Sequence, residues 1–467
     1  MKKQFIRLKG YLSQERLLVI LYFFCTALLL ASPAFYNRYP LVSSDSGTYM
    51  ASSFSLIPPL DRPIGYGLFI RAVSWQASMW PVVFFQGLIA SILIFKTIKL
   101  VLESKRLFLI HFAIVLFLTL FSSLAWYSSQ IMPDVFASFL IITLFLFLNP
   151  KNRWWETVSY FFLLFLLVIS HFSHLLIAIS LVILALLYLS LNGIRNNKQV
   201  FQRICLIGLS CLLAIQFLMI NNSLNGNGYR LNVSSSVFLT ARFAESGILY
   251  KYLKKTCPTK SCAFCLYADS LPDMATKFIW DSDGPLAKSG LGWKEADREC
   301  SPIVTAVFTD SEYLKIFIGE SFKATLKQLF QLDLGSGLSA YRENSAPFYP
   351  IKYHLGSEIN EFLTSEQSYN KLNFSILNLL NYLVLAASLL LIFACFYLKL
   401  VTKILLQLIV IVSSGIALNA AVTASLANVY DRLQARVSWL IIFVALLCLF
   451  KIISHFKMRF ISSLKTS

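Results

Sequence analysis

The sequence predicts an all-α polytopic membrane protein with about ten transmembrane helices, amphipathic helices in the first exported loop and a mixed, disulfide-containing exported domain. Three observations lead there. Apolar residues make up 57% of the 467 residues and charged ones 14%, against roughly 45–50% and about 25% in soluble domains. Mean hydropathy is +0.67, and a water-soluble fold could not cover that much apolar surface with so few charges. Apolar stretches of the length needed to cross a bilayer core, about 20 residues, recur along the chain. Finally, the basic excess of 41 Lys+Arg over 23 Asp+Glu, net +18, falls almost wholly in alternate loops.

Ten stretches qualify as spans: Leu17–Ala34, Pro81–Val101, Leu107–Trp126, Ile131–Leu148, Val158–Ser173, His174–Leu191, Phe201–Ile220, Ser375–Leu398, Ile404–Ser425 and Val437–Ile453. The run from Val158 to Leu191 is broken only at His171-Phe172-Ser173-His174 and reads as two short spans. Lys2, Lys3, Arg7 and Lys9 before an apolar run also suit a cleaved signal peptide. That run is long for a signal, however, and Ser32-Pro33-Ala34 is a poor cleavage site, so an uncleaved anchor is expected.

One set of loops holds 20 basic residues against Glu15, Glu103 and Glu156, a charge of +17. The opposite short loops carry Arg38, Arg62, Arg71, Arg432 and Arg436 against Asp45, Asp61, Asp134 and Asp431, or +1. The long segment 221–374 has 16 of each sign. The positive-inside rule then places both termini in the cytoplasm and 221–374 outside, in an inner or plasma membrane. The expected organisation is a membrane module at 1–220, with a first exported loop at 35–80, an exported domain at 221–374 and a second membrane module at 375–467. The lipid bilayer is the expected partner. A net charge of +18 in a soluble protein would suggest nucleic acid, but a surplus confined to one membrane face sets orientation, and no nucleic-acid partner is expected.

Within the first exported loop, Tyr49–Leu56 and Leu68–Trp75 are amphipathic and suit helices at the membrane surface. Five cysteines, Cys25, Cys205, Cys211, Cys395 and Cys448, lie in apolar spans and read as small hydrophobes. The other four, Cys257, Cys262, Cys265 and Cys300, all fall in 221–374. An even number outside the cytoplasm points to two disulfides of open connectivity. The close Cys257-x4-Cys262-x2-Cys265 spacing also fits a thiolate zinc site, which suits that compartment poorly.

Ionisable residues at membrane depth are costly and mark function. Asp45 sits in Ser43-Ser44-Asp45-Ser46-Gly47-Thr48-Tyr49, a small polar setting that suits either a substrate-facing carboxylate or a helix N-cap. Asp134 follows Gln130-Ile131-Met132-Pro133, where it fits a cavity wall or the first turn of a helix. His171 and His174 share a face if helical and suit hydrogen bonding to a phosphate or to a neighbouring helix. Arg432 and Arg436, four residues apart before the last span, form a cationic fork fit for phosphate, or snorkel to headgroups. Arg62 and Arg71 are similarly placed. Asp61, Tyr49, Tyr66 and Gln130 complete the expected lining.

Taken in order, these segments resemble the integral-membrane glycosyltransferases of the GT-C class. That class includes protein O-mannosyltransferases, lipid A aminoarabinose transferases and oligosaccharyltransferase subunits. The resemblance rests on Ser44-Asp45-Ser46-Gly47-Thr48-Tyr49 after the first span, Asp61-Arg62-Pro63-Ile64-Gly65-Tyr66-Gly67-Leu68-Phe69-Ile70-Arg71, Met132-Pro133-Asp134-Val135-Phe136-Ala137, and Asp431-Arg432-Leu433-Gln434-Ala435-Arg436-Val437-Ser438-Trp439. It covers about the first 190 residues and, more loosely, the last 40. The class often has a pair of acids in the first loop, whereas Asp45 has no acidic neighbour.

The resemblance implies transfer of a sugar from a polyprenyl-phosphate donor to a lipid, glycan or protein acceptor outside the cytoplasm. Asp45 would be the general base, with Asp134 shaping the sugar site. Arg62, Arg71, Arg432 and Arg436, aided by His171 and His174, would bind the donor phosphate. The sequence requires no cofactor and leaves a divalent metal open. Rival readings are a transporter or flippase for a lipid-linked or anionic solute, a membrane acyltransferase using His171 or His174, and a non-catalytic assembly factor. Against transport, no internal repeat is present.

Overall fold

The structure is a computed structural model and describes residues 2–192 and 197–466, with side chains for 14–191 and 197–457. Among the described residues the regular structure is helical, apart from a single parallel bridge between Leu41 and Gln130. Six helices among the described residues are long and apolar enough to cross a membrane: Trp80–Val101, Phe172–Leu191, Lys198–Leu224, Ser375–Tyr397, Lys403–Leu426 and Asp431–Lys457. Their outer faces expose large apolar residues such as Leu212, Leu383, Leu390 and Phe393. A helix that is apolar all round needs protein or lipid on every side, so the bilayer is the natural solvent for these faces.

The remaining expected spans are shorter or interrupted. Leu107–Phe121, Asp134–Phe147 and Trp154–Ser170 have 15, 14 and 17 residues, about 21–26 Å at roughly 1.5 Å per residue, short of a core about 30 Å thick. Each interruption has a local cause. Ser122 is extended (φ −143°, ψ 173°), so the third stretch resumes as a separate Leu124–Ser128 turn. The fourth begins only at Asp134, because Pro133 takes the cap position. His171 is extended (φ −158°, ψ 136°) and separates the fifth stretch from the sixth. The first stretch begins in the helix Lys2–Leu30 and runs past its end into the short helix Ser32–Asn37. Where about ten crossings are expected, six helices of full length are present among the described residues, with three shorter apolar helices beside them.

All fourteen residues of Asp134–Phe147 are buried. This helix packs against Trp154–Ser170, Trp80–Val101, Lys403–Leu426 and the C-terminal helix Asp431–Thr466, so it is the axis of the bundle. Beyond Asp134 its only polar side chains are Ser138 and Thr143, and the Ser138 hydroxyl returns to the Val135 carbonyl at 2.7 Å. Such a helix can be apolar on every face because protein surrounds it.

The segment 221–374 packs in two ways. Residues from Val237 to Tyr313 gather around their own core, including Phe243, Leu249, Phe264, Phe278 and Ile303. Further along, Leu334, Phe348, Ile351, Leu355 and Phe362 join the large core shared with the bundle. This second part braces the first loop. Gln367 accepts from Val42 N at 3.1 Å and donates to Val42 O at 2.6 Å, while Glu358 accepts from Tyr39 Oη at 2.9 Å. The two amphipathic pieces of that loop are helical, at Ser44–Ser55 and Gly65–Ser74. They pack on each other through buried Tyr49, Tyr66 and Phe69.

The expectation of two disulfides is corrected to one. Cys257 is bonded to Cys265, while Cys262 and Cys300 are free. The turn after the helix Ile248–Thr256 brings three sulfurs together, and Cys262 Sγ lies 3.2 Å from Cys265 Sγ, competing for one partner. Cys300 is carried by the helix Trp293–Thr309 into the local core, where burial pushes its thiol up to about 12.

Candidate functional site

Four separate parts of the chain deliver charge to one place. Asp45 lies in the first turn of Ser44–Ser55. Asp61 and Arg62 sit on the irregular link before Gly65–Ser74. Asp134 opens the axial helix, and Arg432 and Arg436 fall on the first turns of Asp431–Thr466. Together they form one continuous chain of ion pairs. Arg62 Nη2 meets Asp61 Oδ2 at 2.6 Å, and Arg62 Nη1 meets Asp45 Oδ1 at 3.1 Å. Asp45 Oδ2 meets Arg432 Nη2 at 3.0 Å, Arg432 Nε lies 3.7 Å from Asp134 Oδ2, and Asp134 Oδ1 meets Arg436 Nη1 at 3.0 Å. Three aspartates and three arginines balance to zero, the condition under which buried charge is tolerable.

Both acids sit in the first turn of a helix, as the capping alternative expects, but neither carboxylate makes a cap bond. At Ser44–Ser55 it is Ser46 Oγ that accepts from Ser43 N, at 2.8 Å, so Asp45 is free to face the arginines. Asp134 likewise spends its carboxylate on Arg436. Burial favours the neutral acid of Asp45, but Arg432 and Arg62 outweigh it and hold the carboxyl at about 2.

The network has an inner and an outer half. Arg436 is wholly enclosed and Asp134 nearly so, their side chains 0% and 3% exposed. Arg436 also donates to Ser173 Oγ at 3.3 Å and Asn419 Oδ1 at 2.9 Å, and Asn419 is anchored on Leu433 O and Gln434. Asp45, Arg432 and Arg62 keep 24%, 20% and 12% of their side chains exposed. Of the two halves, the outer one is open to a ligand.

The other expected residues divide. Asp61 belongs to the network. Tyr49 lies under Arg62, whose guanidinium is 5.2 Å from the ring centroid. Tyr66 is buried and donates to Gln86 Oε1 at 2.9 Å, and Gln86 in turn holds the Ser128 and Gln130 carbonyls. Tyr66 and the backbone of Gln130 are thus tied together through Gln86. His171 Nδ1 accepts from Ser173 N at 3.2 Å, which puts the ring proton on Nε2, and its ring lies within electrostatic reach of Arg436, Arg432, Arg62 and Asp45. His174 points its Nδ1 at Leu167 O, 2.8 Å away, as a buried helix-to-helix bond. Arg71 stands apart: its Nη1 serves the Ser53 and Phe54 carbonyls at 2.9 and 3.2 Å, closing the end of Ser44–Ser55.

Several contributors carry no sequence signal. Asn419, Ser173 and Tyr127, whose hydroxyl donates to Arg432 O at 3.2 Å, look like ordinary helix residues. Gly337 (φ +85°) lets the chain pass over Arg432, where an added Cβ would meet Nη1 at 3.4 Å. At Gly47 an added Cβ would sit 2.3 Å from Ala346 O, so only glycine lets the 346–347 backbone lie over the Asp45 turn. Beside Arg62 is a narrow crevice of about 10 Å³, room for about one water, lined by Pro59, Leu60, Phe172, Asn221, Asn222 and Asn232, among others.

A divalent ion does not fit the aspartates as they stand, because Asp45, Asp61 and Asp134 each have an arginine on the oxygens a metal would take. The group that could hold a metal among the described residues is Cys257, Cys262 and Cys265, whose sulfurs lie within 4.8 Å of one another. With two of these in a disulfide, it would do so only when reduced. No protein-family model, no curated protein and no solved structure matches this chain.

Proposed function

We propose that the protein is a membrane glycosyltransferase that moves a sugar from a polyprenyl-phosphate donor to an acceptor hydroxyl on the exported side. The observation that carries this reading is a single carboxylate, Asp45, set between two partly exposed arginines, Arg62 and Arg432, at 3.1 and 3.0 Å. Two guanidinium groups around one anion-sized position suit a lipid phosphate, and Asp45 stands beside that position, where it could take the proton of the attacking hydroxyl once its oxygens are free. The GT-C resemblance supplies the order of the motifs, and the charge asymmetry of the loops supports an outward-facing site.

In this reading the acceptor O–H proton passes to Asp45 as its oxygen bonds to the anomeric carbon. The bond from that carbon to the phosphate oxygen breaks, and its electron pair leaves with the lipid phosphate. The leaving group passes from a singly to a doubly charged ester, so Arg62 and Arg432 bind the product phosphate more strongly than the donor, as transition-state stabilisation requires.

The test is transfer of a radiolabelled sugar from a polyprenyl-phosphate donor by purified protein in nanodiscs, with wild type compared to Asp45→Asn. Transfer that survives unchanged in Asp45→Asn would remove the catalytic assignment. Uptake of the donor into sealed vesicles without any transfer would favour a transporter instead.

A further inference from the structure

As built, Asp45 is a poor base. Both its oxygens are taken by arginines, and a carboxyl held at about 2 has little affinity for a proton near neutral pH. The network also shows how this can change. Arg62 has a second carboxylate in Asp61 at 2.6 Å, and Arg432 has a second in Asp134 at 3.7 Å. Each arginine therefore keeps one partner if it gives up Asp45. Asp134 cannot make the exchange, because it is enclosed and fixed by Arg436. Asp45 is the acid shared by both arginines and the most exposed of those paired with Arg432, at 24% against 3%. The remaining groups around it are Tyr49 under Arg62, Asp61, Asp134 and the neutral ring of His171.

We propose that Arg62 and Arg432 hold Asp45 inactive in the resting protein, and that the donor's phosphate releases it by taking both arginines for itself. This rests on the glycosyltransferase reading and adds an order of events to it. Phosphate binds first, Asp45 loses its two cationic partners, and only then can it accept a proton. A site without donor holds no active base, so neither water nor acceptor is activated prematurely.

The prediction runs against the usual effect of removing a site residue. If Asp45 competes with phosphate, Asp45→Asn binds a phosphate monoester more tightly than wild type while losing transfer. With dodecyl phosphate titrated into the full-length protein in detergent, the expected gain is about fivefold or more, since relieving a competing state raises apparent affinity. Equal or weaker binding by a monodisperse Asp45→Asn protein would overturn the proposal.

A second measurement needs no variant. A cryo-EM structure of wild type with dodecyl phosphate should place phosphate between Arg62 and Arg432, with the Asp45 oxygens beyond about 4 Å of both guanidinium groups. Asp45 still paired with both would overturn the proposal. The two readings fail separately: tighter phosphate binding without sugar transfer from any polyprenyl-phosphate donor removes the reaction but keeps the release. Transfer by wild type without tightening in Asp45→Asn does the reverse.

Discussion

Two sets of ion pairs in this molecule are built from similar residues and have opposite meanings. In 221–374, Lys277–Asp273 and Lys254–Asp269 pair at 2.8 and 2.7 Å with side chains about half exposed or more. Solvent screens such pairs and they contribute little. At the bundle end, Asp134–Arg436 pairs at 3.0 Å with essentially no exposure. There each charge depends on its partner, because neither can be hydrated. A buried pair is a poor way to gain stability, since apolar residues of the same volume serve at least as well. Distance does not separate the two sets; burial does. The enclosed set therefore calls for a functional explanation that the solvated set does not.

The largest effect that would test this contrast lies at its inner end. Arg436→Met leaves Asp134 buried and unpaired and should cost about 3–5 kcal/mol, read as lost monodisperse protein and a lower melting temperature. Asp134→Leu combined with Arg436→Met should recover most of that loss. A single variant as stable as wild type would place Asp134 in water and break the distinction.

Next in size, Asp45→Asn should lower sugar transfer by about 10²–10⁴-fold, the usual contribution of a positioned base, with an unchanged elution profile. Arg432→Lys keeps the charge but loses the planar fork. It should weaken dodecyl phosphate binding by roughly tenfold, and an unchanged titration would move the phosphate elsewhere.

Stability against pH sharpens the comparison further. The Asp45 carboxyl is held at about 2 in the folded protein, below its usual value near 3.9. Its contribution is therefore complete above the ordinary carboxylate range and lost as pH falls toward about 2. The melting temperatures of wild type and Asp45→Asn should differ by a constant amount from pH 7 to 5 and converge below about pH 4. Smallest of all, Lys277→Ala should leave the melting temperature unchanged within error, and a clear drop would overturn the low weight given to the solvated pairs.

Much of the site was legible in the sequence, for a definite reason. Asp45, Arg62, Asp134, Arg432 and Arg436 are charges next to apolar spans, and charge at that depth is expensive enough to stand out. Arg71 meets the same criterion yet closes the end of a helix, because a guanidinium satisfies carbonyls as readily as phosphate. Asn419 and Ser173, which fix Arg436, are neutral residues that helices commonly carry. The cysteine bonding is less legible, since four thiols in one segment suggest two bridges where the structure has one. Three of them converge on one turn while Cys300 is sealed in the local core.

By itself, the sequence determined that the chain is helical and apolar enough for a membrane, and that its basic excess lies in one set of loops. Composition and spacing suffice for both, because a chain segment that crosses hydrocarbon as a helix must be apolar along about 20 residues. The tertiary structure decided that Asp134–Phe147 is the enclosed axis of the bundle, although its composition matches that of lipid-facing helices. It also decided that acids and arginines as far apart as Asp45 and Arg432 form one network with an enclosed half and an open half. Burial and pairing depend on what packs around a residue, and no local pattern carries that information.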